Sequence, residues 1–497
     1  MGFQGAVRNS GVIAVCILLT STAWAQTTVI HPEVLRSRAG MGSLPSGAAL
    51  ASLKVAILDV GFSGYSASSG RLPESAQLNE GLVNPLLATN HGLVMAEIIW
   101  GMLGRRAEGP RFYLVNTNGL SNFRAAIEFV IAHEIDVVVY AQNWVYGGNL
   151  DGTGFVDALV TRALDAGVTW INAAGNDHDL VFAGAVRSRT DGTVILPGAG
   201  DTLSIRTDLD DTEVTVALLW TDVQDDDRVT ATTDLDVIFE TTTGMELASG
   251  RHRQGGAVGE ASTSRFARES AMATVNRGEY RVRISDISHN FRSTDELRVV
   301  LSSNKPGSVH LTEATGRREI LPPADHPGVI TVGDGSSHSS VGPTGDGRTK
   351  PDVTIADSSV SFTDGMTSAG SSNATALFAA RVVAEFAARE TPRGAARRTL
   401  VTDLARSTSA PAAFVCLREI PFWHLNSDGA AGLPQGTSAF GTGALGTRAG
   451  MDPEGHHYAV LAPGRTRAAV RGTALQSPFF RVITADEEPL LCAGAAP

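Results

Sequence analysis

Between Lys54 and Ala173, short apolar runs alternate with stretches of helical period, and that alternation fixes the fold class before any single residue is weighed. Lys54 to Leu58, Phe112 to Asn116, Asp136 to Ala141 and Val168 to Ala173 read as strands; His91 to Leu103, Leu120 to His133 and Gly154 to Ala166 read as helices. A strand that is apolar at consecutive positions must be covered on both faces, so the expectation is α/β: a doubly wound parallel sheet.

The rhythm then changes. From about Asp201 to Ser303 the period is two: Val214, Val216, Leu218 and Trp220 point one way, Glu213 and Thr215 the other. Tyr280, Val282 and Ile284 likewise alternate with Arg281 and Arg283. Evenly spaced strands without intervening helices suggest an inserted antiparallel β-sandwich. The α/β pattern resumes at Gly328 to Gly333 and runs to about Leu404. The chain therefore divides into a leader (1–25), an N-terminal arm (26–50, read as a linker or loose arm), two halves of one α/β domain (51–199 and 306–404), the insertion (200–305) and a C-terminal region (405–497). That last region carries short strand candidates such as Phe480 to Thr484 but no assignable fold.

The leader has Arg8 as its positive flank, the apolar run Gly11 to Thr20 and the A-x-A site Ala23-Trp24-Ala25. These are the marks of an export signal cleaved after Ala25, too short to span a bilayer with comfort. The expectation is a periplasmic or extracellular protein without stable membrane insertion. Of three cysteines, Cys16 leaves with the leader. In an oxidising compartment a Cys416–Cys492 disulfide is the favoured reading and two free buried thiols the alternative. With 40 Lys and Arg against 52 Asp and Glu, the net charge is −12 and no basic cluster offers a footprint for nucleic acid. Oligomeric state is not legible.

Four short segments carry chemistry. Asp59 closes the first apolar strand, at the edge where α/β sheets bind ligands. His91 opens a helix and is followed by Gly92 and aliphatic residues that let the helix lie close to the sheet. Asn176 follows Ala173-Ala174-Gly175 at the end of another strand, a neutral amide donor of the kind that can face a developing oxyanion. Ser372 sits in Gly370-Ser371-Ser372-Asn373-Ala374-Thr375-Ala376, where a small turn enters an apolar helix. Serine is a weak nucleophile at neutral pH and needs a base and an orienting carboxylate, which His91 and Asp59 supply.

Taken together, the segments ILDVG, NHGLVMA, AAGN, HPGVITVGD (326–334), GPTGDGRTKPDV (342–353) and GSSNATA resemble those of the subtilisin-like serine proteases (subtilases), in which Asp, His and Ser come in that chain order. The resemblance covers most of residues 54–200 and 320–390. It implies a serine endopeptidase acting on polypeptide substrates through an acyl-enzyme. Ser372 would attack, His91 would shuttle the proton, Asp59 would hold the imidazole, and Asn176 with the Ser372 amide would bind the oxyanion. No cofactor is required by that chemistry. The chain departs from the family pattern at Val60, at Ser371 and in Tyr140 to Trp144, where the usual serine is missing; pocket preference does not carry over.

Less specific readings compete. Ser372 alone could be a helix cap, Asn176 a turn residue, and Asp352 in Lys350-Pro351-Asp352 structural support. Asp222, Asp225, Asp226, Asp227, Asp234 and Asp236 offer the oxygens calcium takes, but no twelve-residue loop with a closing glutamate. A solvated acidic loop is preferred there and a structural calcium is the alternative. His178, His289 and His310 show no metal-ligand spacing. The rivals to a protease are a subtilase-fold binding module that has lost activity, and an esterase, whose G-x-S-x-G serine would precede its Asp and His.

Overall fold

The computed structural model describes residues 28–255, 263–409, 446–451, 457–461 and 480–483. The leader, Cys416 and Cys492 lie outside the described residues. Two units are distinguished, 1–406 and 407–497.

The first unit is a mixed α/β structure built on one parallel sheet of seven strands. In chain order its early elements are α1 (Pro32–Arg38), α2 (Gly47–Ala51), β1 (Lys54–Asp59), β2 (Gln77–Asn79), α3 (His91–Met102), β3 (Arg111–Asn116), α4 (Leu120–Ala132), β4 (Val137–Tyr140), α5 (Phe155–Asp165) and β5 (Thr169–Ala173). The spatial order is β2-β3-β1-β4-β5, followed by strands Ile330–Asp334 and Val353–Ile355. Every pairing in this sheet is parallel. The chain leaves β1 toward β3 on one side and then crosses to β4 on the other. The C-terminal end of β1 is thus a switch point, where such sheets leave a crevice.

Alternate residues of the strands enter different cores. Val55 and Ile57 of β1 pack with α3 and with α6 (Ser371–Arg389), whereas Ala56 and Leu58 pack with α4 and α5. Both helix layers bury apolar faces, which is why strands with no polar alternation are stable here. Helix α3 is buried from Gly92 to Met102 and α6 along most of its 19 residues. Each large apolar side chain so buried contributes about 1.5–3 kcal/mol. Helix α7 (Ala395–Ser409) adds Val401, Leu404 and Ala405 to the same core.

The N-terminal arm differs from the loose linker expected. Residues 32–38 and 47–51 are helical, and Val29, Leu35, Met41, Leu50 and Leu53 join the core beneath α3 and α6. Arg381 of α6 donates to the Ala39 carbonyl at 3.2 Å. The short helices hide among small residues because their apolar positions are too few to show a period, and tertiary burial stabilises what propensity does not.

Between β5 and strand Ile330–Asp334 lie two larger antiparallel sheets, beside a short antiparallel pair of Arg187–Ser188 with Val194–Ile195. One orders strands Arg268–Val275, Thr212–Trp220, Glu296–Ser303 and Val181–Ala185; the other orders Glu246–Gly250, Leu235–Thr241, Gly278–Asp286, Thr202–Thr207 and Val309–Leu311. Val214 and Val216 from one, and Val237, Phe239, Val282 and Ile284 from the other, share one apolar cluster that continues into α4 and α5. The antiparallel stretch begins at Val181, some twenty residues before the alternation is visible. Val181 and Ala183 pack toward Leu150 and Leu321 while Phe182 packs the other way, so this strand is apolar throughout and shows no period of two. The second unit contributes a three-stranded sheet of Gly446–Met451, His457–Leu461 and Phe480–Ile483.

Candidate active site

Asp59 ends β1 and is wholly buried. Its Oδ1 accepts from Val60 N (2.8 Å), Gly61 N (3.3 Å) and Gln142 Nε2 (3.1 Å), and its Oδ2 lies 2.6 Å from His91 Nδ1. A carboxylate only accepts, so Nδ1 carries the proton and Nε2 is left as the free basic nitrogen.

His91 reaches Asp59 because α3 starts hard against the end of β1. Gly92 N donates to Gly61 O at 3.1 Å. A Cβ built on Gly92 would stand 2.4 Å from the Phe62 ring and 2.6 Å from Asp59 Cβ. Only glycine fits there. Burial works to depress the His91 pKa, but the hydrogen bond and the charge of Asp59 outweigh it and leave it above the ordinary value.

The serine turn is assembled from three other segments. Gly370, at φ 125° and ψ 175°, occupies the cap position of α6 in backbone space reserved for glycine. A Cβ there would also press on the Asn176 amide, 3.2 Å from Oδ1. Gly370 N donates to Ser358 Oγ (2.9 Å), which donates to Asp334 Oδ2 (3.0 Å). Ser371 is completely buried, its Oγ accepting from Gly175 N at 3.2 Å. Ser372 follows, half-buried, with its hydroxyl donating to the Ala141 carbonyl at 3.3 Å. It therefore stands at the second helical position, among the N–H groups and positive dipole end of α6.

Asn176 is exposed, and its orientation is fixed chemically. Ser371 N can only donate, and it does so to Asn176 Oδ1 at 2.9 Å, which leaves Nδ2 as the free donor group. Asp59, His91, Asn176 and Ser372 thus come from four separated segments and meet along the C-terminal edge of the parallel sheet, linked through Gln142, Ala141 and Ser371.

The other singled-out residues are placed elsewhere. Asp352 Oδ2 accepts from Thr331 N (2.7 Å) and Lys350 Nζ (2.6 Å), supporting the last two parallel strands. His178 Nδ1 meets Glu319 Oε2 at 3.0 Å, and His310 Nε2 meets Asp208 Oδ2 at 2.7 Å. Four of the six aspartates spend oxygens on the protein: Asp222 on Thr232 N and Thr233 N, Asp225 on Gly154 N, Asp226 on Arg228, and Asp227 on Arg124; Asp236 lies 4.0 Å from Arg251, and Asp234 Oδ1 is buried without a hydrogen-bond partner among the described residues. Among the described residues no group of three or more His, Cys, Asp or Glu is placed to hold a metal ion. Sequence reasoning passed over three contributors: Gln142, Ser371 as the anchor of Asn176, and the Ser358–Asp334 pair behind Gly370. Gln142, Ser371 and Asp334 lie in segments already singled out, but their roles are created by which strand lies next to which.

No family model matches this chain, and neither does any curated protein. Among solved structures it is similar to the CspB protease of Clostridium perfringens, at 14% identity over 69% of this chain and 82% of that one, with a TM-score of 0.39. It is also similar to the subtilisin-like protease Apa1 of the Antarctic psychrotroph Pseudoalteromonas sp. AS-11, at 17% identity over 31% of this chain and 37% of that one, with a TM-score of 0.22. Likeness at this level decides nothing about the site, whose reading rests on its own geometry.

Proposed function

We propose that this chain is a serine endopeptidase of subtilase type, exported after cleavage behind Ala25, with Asp59, His91 and Ser372 as its triad. The observation that carries the reading is the 2.6 Å contact of His91 Nδ1 with a fully buried Asp59, set beside a serine at the positive end of a buried helix. In the reaction the Ser372 hydroxyl gives up the Ala141 carbonyl and turns to His91 Nε2, which takes its proton as the oxygen attacks the scissile carbonyl. Bonds between nucleophile and base are commonly loose before substrate arrives. The oxyanion that forms is met by Asn176 Nδ2 and the Ser372 amide. His91 then protonates the leaving amine, and water repeats the sequence on the acyl-enzyme. The two antiparallel sheets are read as a β-sandwich module beside the catalytic core.

A fluorophosphonate probe tests the assignment. It is expected to label the mature protein at Ser372, and Ser372→Ala is expected to abolish labelling. Labelling that survives the substitution would overturn the nucleophile, and an unreactive wild-type chain would favour the inactive binding module. N-terminal sequencing of exported protein is expected to begin at Gln26; a retained leader would overturn the export reading.

A further inference from the structure

We propose that Gln142 is a positioning residue for the Asp59 carboxylate and thereby sets how strongly His91 holds its proton; this rests on the triad reading above. Three donors converge on Asp59 Oδ1. Two of them, Val60 N and Gly61 N, are backbone groups that come with the strand-to-turn geometry of Asp59 itself. The third, Gln142 Nε2 at 3.1 Å, reaches across from the segment that follows β4, 83 residues away in sequence. Among the described residues Oδ2 is left to His91 alone.

That division of labour has two physical consequences. A carboxylate held through one oxygen by donors from two directions cannot rotate about its Cβ–Cγ bond, so the plane of Asp59 stays aligned with the imidazole. A neutral N–H on Oδ1 also draws charge away from Oδ2 in a buried, weakly screened site, which moderates the pull of Asp59 on the imidazolium. Gln142 is itself well placed for the task. Its carbonyl accepts from Asn172 Nδ2 at 3.0 Å, and the preceding residue, Ala141, accepts from Ser372 Oγ. Adjacent residues thus touch both ends of the constellation, one by backbone and one by side chain.

The test compares wild type with Gln142→Met, close in size but without a donor, and Gln142→Glu, close in shape but a donor only when protonated. The pH at which His91 is half protonated is read directly by NMR, from its ring carbon-bound proton. It is expected to rise by about half a pH unit or more in Gln142→Met, a roughly threefold gain in proton affinity. Gln142→Glu is expected to raise it further once the new carboxylate ionises. With peptide substrates, kcat is expected to fall about tenfold in Gln142→Met with KM nearly unchanged, and the acid limb of kcat/KM to move with the NMR midpoint. An unchanged His91 midpoint in both variants, each folded with the wild-type melting temperature, would overturn the proposal. Because the titration needs no turnover, it answers even if the fluorophosphonate experiment fails, and the two failures are told apart.

Discussion

At the scale of single residues, the Asp59–His91 contact makes activity and stability respond to pH in opposite senses. In the proposed triad His91 would act as a base only when neutral, and its pKa lies above the ordinary value, so kcat/KM should rise with pH through a midpoint above about 6.5. The stabilisation carried by the raised pKa is fully present below the unfolded value and is lost as pH rises through the folded one. The gap in melting temperature between wild type and His91→Asn should therefore narrow from pH 5 to pH 9, while activity climbs. A gap that widened would contradict the raised pKa. Asn176 sits at the same scale with a different signature. Among the described residues its side chain has one hydrogen bond, accepted from Ser371 N, so Asn176→Ala should lower kcat about 10²–10³-fold with little change in KM or stability. The sequence showed these four side chains by their short motifs and by the order of those motifs along the chain. It could not show Gln142, whose role depends on the register between β4 and β1.

At the scale of elements, the site exists because helices are allowed close to the sheet. Gly92→Ala should push α3 off the end of β1, breaking the His91–Asp59 contact while α3 itself remains a good helix. The expected outcome is loss of nearly all turnover with only a moderate drop in melting temperature, read by a labelling rate beside a thermal scan. Helix α3 also carries Glu97, fully buried and held by Arg71 through two bonds of 2.6 and 2.8 Å. Removing Arg71 takes both hydrogen bonds from a buried carboxylate whose pKa burial already raises and leaves it only the charge of Arg105, so Arg71→Ala should cost about 3 kcal/mol in denaturant unfolding. Most of the parallel strands and their helices could be read in advance to within a residue or two, since continuous apolar runs leave few alternatives. The helices of the N-terminal arm could not, since five to seven residues are too short for a period and only docking on α3 and α6 makes them stable.

At the scale of the whole molecule, the antiparallel sheets meet the α/β core over a set of buried charges that no pattern announced. Asp157 of α5 has both carboxylate oxygens buried without a hydrogen-bond partner among the described residues; Asp325 is buried beside it, and Arg298, from the other side of the junction, is buried near Asp325. Burial above all pushes Asp325 up to about 6, and burial followed by the charge of Asp325 pushes Asp157 well above the usual carboxylate range. Carboxyls raised in the folded state bind protons that the unfolded chain has released, so stability should fall as pH rises from about 4 through 6 and beyond. Asp157→Asn is expected to flatten that fall and to melt higher than wild type at pH 8. A steeper fall would show that Arg348 needs the charge. The same junction bears on how the chain finds its fold. Ser371 and Asn176 are joined across 195 residues, yet His178 and Glu319 close 141 of those residues into a loop of their own. Once the antiparallel stretch has folded, only some fifty residues remain to be drawn in when the serine turn meets its asparagine. By loop-closure entropy that shortening is worth about 1 kcal/mol, and it makes the insertion a splint on which the two halves of the α/β core are brought together.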